Sequence, residues 1–176
     1  VARLFHLKGH KFLIEAARAV IDRCPNVRFV LIGDGILREQ FDQRISQLGL
    51  SEHFILTGLV PPERIPELVN AADIVAHTSE WEGLARVLPQ GLISGKPVVS
   101  YDVDGAREVV IQGETGYLLP VEEIAGLGDA ICELAESPEL RIRLGENGRA
   151  RFTEIFRHQT MTAQIRDVYQ QVLARR

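Results

Sequence analysis

Ser79-Glu80-Trp81-Glu82-Gly83 places a hydroxyl, two carboxylates and a glycine in five consecutive residues ahead of an apolar run. A carboxylate beside a glycine turn suits a ligand rich in hydroxyls: Glu82 accepts their hydrogen bonds, and Gly83 lets the backbone come close. Read as the start of a helix, the amides of Leu84, Ala85 and Arg86 become unpaired donors carrying partial positive charge, a setting that favours phosphate. Ser79, Glu80 and Glu82 suit helix capping equally well, and spacing alone does not separate the two roles.

A second group opens the chain. In RLFHLKGHK (3–11), Arg3 offers a planar fork of donors and Lys8 a point charge, while Gly9 permits a tight turn into a helix. Two cations in a strand-to-helix loop suit a diphosphate, although exposed lysine and arginine are common on any surface.

Other candidate chemistry is weaker. Asp102-Val103-Asp104 has the form of a metal motif, but it leads into Gly105, and two carboxylates alone make a poor cage; a turn is expected. Gly33-Asp34-Gly35 lacks the third glycine of a dinucleotide fingerprint, which disfavours a nicotinamide cofactor. The histidines His6, His10, His53, His77 and His158 show no metal-ligand pairing. Only His77, at the end of a strand, faces the expected pocket, where it reads more readily as a packed imidazole. Trp81 reads as a hydrophobic anchor for the 79–83 loop. Cys24 and Cys132 lack metal-type spacing and read as free thiols in a reducing cytoplasm.

The whole chain sets bounds on these readings. Its 176 residues suffice for one domain with a sizeable core. A net charge of −4 argues against a nucleic-acid partner, which needs a basic face. No apolar run approaches the roughly 18 residues of a membrane span, and no secretory signal opens the sequence. The chain starts at Val1 and its one methionine is Met161, so it reads as a piece of a longer protein.

The elements that must position the candidates alternate. Apolar runs at 27–33, 53–58, 73–79, 96–102 and 116–120 read as strands. Helical spacing separates them at Phe12 to Ile21, Leu37 to Leu48, 61–72 and after Gly83. Pro66 unsettles the third of these helices. From Val121 onward the period is helical, with breaks at Ser137-Pro138 and near Phe156-Arg157. Short turns between alternating strands and helices imply parallel strands and right-handed crossovers. The expected fold is α/β, a Rossmann-like doubly wound parallel sheet with C-terminal helices. Ligands of such folds sit beyond the carboxyl ends of the strands, where Gly33 to Gly35, Thr57-Gly58, Ser79 to Gly83 and Asp102 to Gly105 would gather.

Five stretches in order, RLFHLKGHKFLIEAA, VRFVLIGDGILREQF, ILTGLVPPERIPELVNAADIVAHTSEWEGL, SGKPVVSYDVDGAREVV and GETGYLLP, resemble the retaining GT-B glycosyltransferases of the family-four, group 1 type. The likeness covers residues 1 to 155, and it implies that 1–176 is the C-terminal, donor-binding half, with the N-terminal acceptor-binding domain absent from this chain. Carried over position by position, it implies that Arg3 and Lys8 hold the donor diphosphate and that Glu82 contacts hydroxyls of the transferred sugar. Gly83, Leu84 and Ala85 supply backbone contacts to phosphate or sugar oxygens. Gly33 and Gly105 stand in loops near the donor, and Gly58, Leu59 and Val60 form the wall for the base.

Three positions depart from the family pattern. Gln90 stands where a glutamate grips the ribose, so the acceptor remains but the charge assistance is lost. Pro89 either removes one early helical bond or, if the helix starts sooner, kinks it. Ala85 replaces a frequent glycine and narrows the space above the helix start.

The resemblance implies transfer of a sugar from a nucleoside-diphosphate sugar to an unknown acceptor, with no cofactor and no metal. The alternatives are a degenerate nucleotide-sugar-binding module and a GT-B-fold epimerase or phosphorylase. The fragment alone is expected to bind donor weakly and to transfer nothing. Its expected partners are the nucleoside-diphosphate sugar and its own N-terminal domain. The expected location is cytoplasmic, with any membrane association arising through the absent half.

Overall fold

The computed structural model describes residues 1–174; Arg175 and Arg176, the end of the expected 1–176 domain, lie outside the described residues. Five short strands alternate with helices: α1 (His10–Arg23), β1 (Phe29–Leu31), α2 (Arg38–Gln47), β2 (Phe54–Leu56), α3 (Ile65–Ala71), β3 (Val75–His77), α4 (Val87–Ile93), β4 (Val98–Tyr101) and β5 (Gly116–Leu119). Three helices follow: α5 (Ile124–Glu136), α6 (Pro138–Phe152) and α7 (His158–Ala174). Every strand pairing is parallel, as short strands joined by helices require.

The α/β layering is as expected, but the sheet comes in two pieces. β1 pairs with β2, and β3, β4 and β5 form a separate sheet in that order. In the first pair Phe29 stands opposite Phe54 with the rings stacked at 4.9 Å. Such a pair adds about 1 kcal/mol beyond the area it buries. β4 has a neighbour on each side, and all four of its residues are buried.

Period-two alternation divides the core into two layers. Val99 and Tyr101 of β4 point towards α1 and α5, joining Phe12, Val20 and Ile131. Val98 points the other way, into a cluster with Val75, Leu88, Leu92 and Phe152 from β3, α4 and α6. Ser137 caps α6, accepting the Leu140 N–H at 3.3 Å, and Pro138 occupies the first turn, so the break expected there is a cap between two helices. Pro66 likewise sits at the start of α3, after a short 3-10 turn at Pro62–Arg64, and its missing N–H costs no helical bond. α7 buries none of its residues.

The segment before α1 joins the two sheets. Ala2 and Leu4 donate their N–H groups to the carbonyls of Ile32 (3.0 Å) and Asp34 (2.9 Å), just past β1. Glu80 N–H donates to the Leu7 carbonyl at 2.9 Å, and Thr78 Oγ1 donates to the Lys8 carbonyl at 3.2 Å, just past β3. Gly9 makes this close approach possible. Its φ is +62°, and a Cβ there would stand 1.8 Å from the Thr78 carbonyl oxygen.

Candidate functional site

The bonds past β3 determine where Lys8 goes. With the Lys8 carbonyl held by Thr78, its ammonium reaches the Glu82 carboxylate and pairs with it. Ser79, itself buried, donates its hydroxyl to the same Glu82 oxygen at 3.2 Å. A neighbouring pair, Lys11 with Glu80 at 3.0 Å, ties α1 to the same loop. Partial burial works to raise the Glu82 pKa, but the Lys8 and Ser79 contacts outweigh it and hold the carboxyl below its usual range. Glu82 is therefore an anion at neutral pH, an acceptor with one oxygen already engaged.

His77 lies beneath this pair. It is buried, its Nδ1 is 2.9 Å from Ser100 Oγ, and its Nε2 is 3.9 Å from Glu82 Oε1. Ser100 donates to the Tyr101 carbonyl at 2.8 Å, which leaves its oxygen to accept from His77 Nδ1–H. Burial pushes the His77 pKa down to about 4, so the ring is neutral at pH 7. The packed-imidazole reading holds.

The loop after β4 closes the site from the other side. Asp104 accepts the Glu82 N–H at 2.8 Å, and Gly105 N–H donates to the Gly83 carbonyl at 3.0 Å. Asp102 forms a two-bond pair with Arg107, at 3.1 and 2.7 Å. The two carboxylates of the Asp102-Val103-Asp104 motif are thus committed to a turn and an ion pair. Among the described residues no group of three potential ligands is arranged to hold a metal.

Two expectations about this loop need correction. α4 begins at Val87, not directly after Gly83, and it is only seven residues long. Pro89 is the reason: lacking an N–H, it is accommodated only within the first turn, where it stands third and causes no kink. Leu84 and Ala85 belong to a loop and not to a helix start. Among the described residues the amides of Gly83, Leu84, Ala85 and Arg86 make no hydrogen bond, so the donors expected there are present in loop form. The second correction concerns Trp81. It is 71% exposed and anchors nothing; Asp104, Ser79 and the Lys8 pair hold the loop instead.

The remaining candidates fall into two sets. Gly83 faces open space, with nothing within 4 Å of where a Cβ would be, whereas the Ala85 methyl is buried in the α4 cluster. Gly105 packs on Gly83 and Leu84. Gly33 touches the Ala2 carbonyl on one side and bridges to Gly58 on the other, bringing the 58–60 segment, expected to form the wall for the base, to the same strand ends. Leu59 beyond it is 85% exposed, and Val60 is half-buried. Arg3 and Gln90 are both exposed, and among the described residues neither side chain has a polar partner. Sequence reasoning missed Asp104 as the residue that fixes the Glu82 backbone. Its φ of +43°, uncommon for a residue other than glycine, is invisible in a sequence, though its place before Gly105 hints at a turn.

Comparison with known proteins points in one direction. A model of the glycosyl transferases group 1 family matches residues 1–151. The chain is 32% identical over 147 residues to an alpha-D-kanosaminyltransferase of Streptomyces kanamyceticus, covering 84% of this chain and 38% of that protein. HepE of Anabaena, crystallised in complex with UDP, superimposes with a TM-score of 0.88 at 31% identity, covering 97% of this chain and 47% of that one. The C-terminal domain of a group 1 glycosyl transferase family protein (LpcC) from Francisella tularensis shares the fold, with a TM-score of 0.80 at 23% identity over 89% of this chain and 83% of that one. The chain spans about two fifths of the length of curated relatives that it matches.

Proposed function

The chain belongs to the glycosyl transferases group 1 family, and from that premise we propose that it is the donor-binding half of a retaining transferase using a nucleoside-diphosphate sugar. The observation that carries this reading is the convergence of Lys8, Glu82 and the unbonded amides of Gly83 to Arg86 at one place beyond β3. It combines a fixed anion for sugar hydroxyls with cationic and N–H donors for a diphosphate. HepE, the relative crystallised with UDP, supports the choice of ligand class.

In this reading Glu82 accepts hydrogen bonds from the sugar with its free oxygen lone pairs. Lys8 commits one donor to Glu82 and keeps two for the diphosphate. As the glycosidic bond breaks, negative charge grows on the leaving diphosphate, and Lys8, Arg3 and the loop amides stabilise it. Asp102 and Asp104 are engaged elsewhere, which favours leaving-group stabilisation by side chains and amides without a metal. The acceptor site and the rest of the reacting centre belong to a separate domain, so this chain binds donor weakly and transfers no sugar.

Calorimetric titration of the chain with UDP, GDP and ADP tests the reading. At least one should bind, with Lys8→Ala weakening it about tenfold, the usual scale for one charge-assisted contact. No binding of any of the three at millimolar concentration, or sugar transfer by this chain alone, defeats it.

A further inference from the structure

Helices α1 and α5 lie against each other, and the contacts between them advance together along both. A Cβ on Gly128 of α5 would stand 3.7 Å from Val20 Cγ2 and 3.8 Å from the Ala16 carbonyl oxygen of α1. Farther along, Glu136 at the end of α5 accepts two bonds from Arg23, at 2.6 and 2.5 Å, and lies 3.7 Å from Cys24 Sγ. Cys132 falls midway, four residues from both Gly128 and Glu136, and so shares their face of α5. Cys24 follows Val20 by the same spacing and stands at the C-cap of α1. The chain's two cysteines therefore meet across this helix pair, at the end of α1 remote from Gly9 and Lys8.

Both are free thiols, and they are unequal. Cys132 is buried, and that burial, with the Cys24 sulfur beside it, pushes its thiol up to about 11. Cys24 is half-buried and is followed by the exposed Pro25 and Asn26. Its backbone has already left the helix, with φ −127° and ψ 74°. A thiol is a weak donor, so the contact with Glu136 holds the Cys24 sulfur only lightly.

We propose that Cys24 and Cys132 form a redox-reactive pair, which closes as a disulfide between α1 and α5 when a small-molecule disulfide supplies the oxidant. The Cys24 thiolate attacks one sulfur of the reagent, whose S–S bond breaks; one thiolate leaves and a mixed disulfide remains on Cys24. Cys132 gives its proton to solvent and attacks the Cys24 sulfur, and the second reagent thiolate leaves. The protein thiols lose two electrons and two protons, and the reagent takes them up as two thiols. Cys24 is the point of entry because its sulfur is within reach of a reagent, whereas Cys132 reaches only a sulfur delivered beside it. All five strands and the Glu82 loop lie between the two positions, so a single bond encloses them in one covalent loop. That loop restrains the unfolded chain and makes stability follow the surrounding thiol–disulfide balance.

The test incubates the folded chain with millimolar oxidised glutathione at pH 8. Intact mass, free thiols after denaturation and the midpoint of thermal unfolding are read without nucleotide, so the result stands apart from donor binding. The expected product is a monomer two hydrogens lighter, with no free thiol, whose midpoint rises by about 5–10 °C and falls back on reduction. Cys132→Ala should stop at a glutathione adduct on Cys24, Cys24→Ser should leave Cys132 unmodified, and neither should gain in midpoint. The chain has two cysteines only, so the mass of the oxidised monomer identifies the link even where a variant fails to fold. A lasting adduct on the unaltered chain, a disulfide-linked dimer, two thiols still free, or a midpoint lowered by closure overturns the proposal. Closure that runs faster in unfolding urea than in buffer assigns the bond to the unfolded chain and also overturns it.

Discussion

The two sheets present the same site with different firmness. The β3–β5 sheet has a fully buried central strand, and its loops carry Glu82, fixed through Ser79, Lys8 and Asp104. The β1–β2 pair leaves Val30 and Ile55 exposed, and its loops carry Gly33 and Gly58, joined by a single bridge, with Leu59 projecting beyond. In the proposed donor site the sugar end thus rests on a rigid support and the base end on a looser one. Directional hydrogen bonds to hydroxyls need fixed geometry, whereas a flat ring needs only a wall, so the division suits the ligand.

The seam between the halves is the most sensitive place to break this contrast. Gly9→Ala drives a Cβ into the Thr78 carbonyl at a left-handed φ and should cost about 4 kcal/mol in urea unfolding. Gly49→Ala, at a similar φ but with open space around it, should cost only about 1–2 kcal/mol. Equal costs would show that the seam yields freely.

Acid comes next. Burial lowers the pKa of both His10 and His77 from 6.5 to about 4. The unfolded chain therefore binds more protons between these values, and stability falls as pH drops from 6.5 to 4, by about 3 kcal/mol for each ring. Glu82, with its folded pKa lowered, adds a loss at still lower pH as it protonates. Urea unfolding at pH 6.5 and pH 4 measures the total, and His10→Phe should remove about half of the histidine share while His77 keeps the rest.

A matched pair of truncations sharpens the comparison further. Val99→Ala, in the fully buried strand, should cost about 2 kcal/mol, and Val30→Ala less than about 0.5 kcal/mol. A local effect belongs to Asp104→Ala, which removes the acceptor for the Glu82 N–H. About 1 kcal/mol is expected, read as roughly fivefold faster exchange of that amide with little change in global stability.

Much of this was legible in the sequence. The β-branched runs gave all five strands, since burial in a parallel sheet demands such runs, and Ser137-Pro138 marked a helix boundary because a cap and a proline act locally. Strand ends gather Glu82 with the other loops, whereas Lys8 is placed beside it only by the family resemblance. What was not legible depends on contacts between distant residues. The three-position delay before α4 reflects Pro89 acting on its own helix together with the Gly105 bond to the Gly83 carbonyl. Trp81 misled because an aromatic residue in a loop usually anchors it, and nothing local reveals that Asp104 does so instead. The gap between β1 and β3 is likewise a relation between strand edges, which no stretch of sequence displays.

Trp81 adjoins Glu82, is the only tryptophan in the chain and stands mostly in water. Its indole emission therefore reports on one spot of the molecule, beside the proposed sugar contact. A ligand settling there should shift that emission to the blue or quench it, giving an optical gauge of occupancy that needs no label.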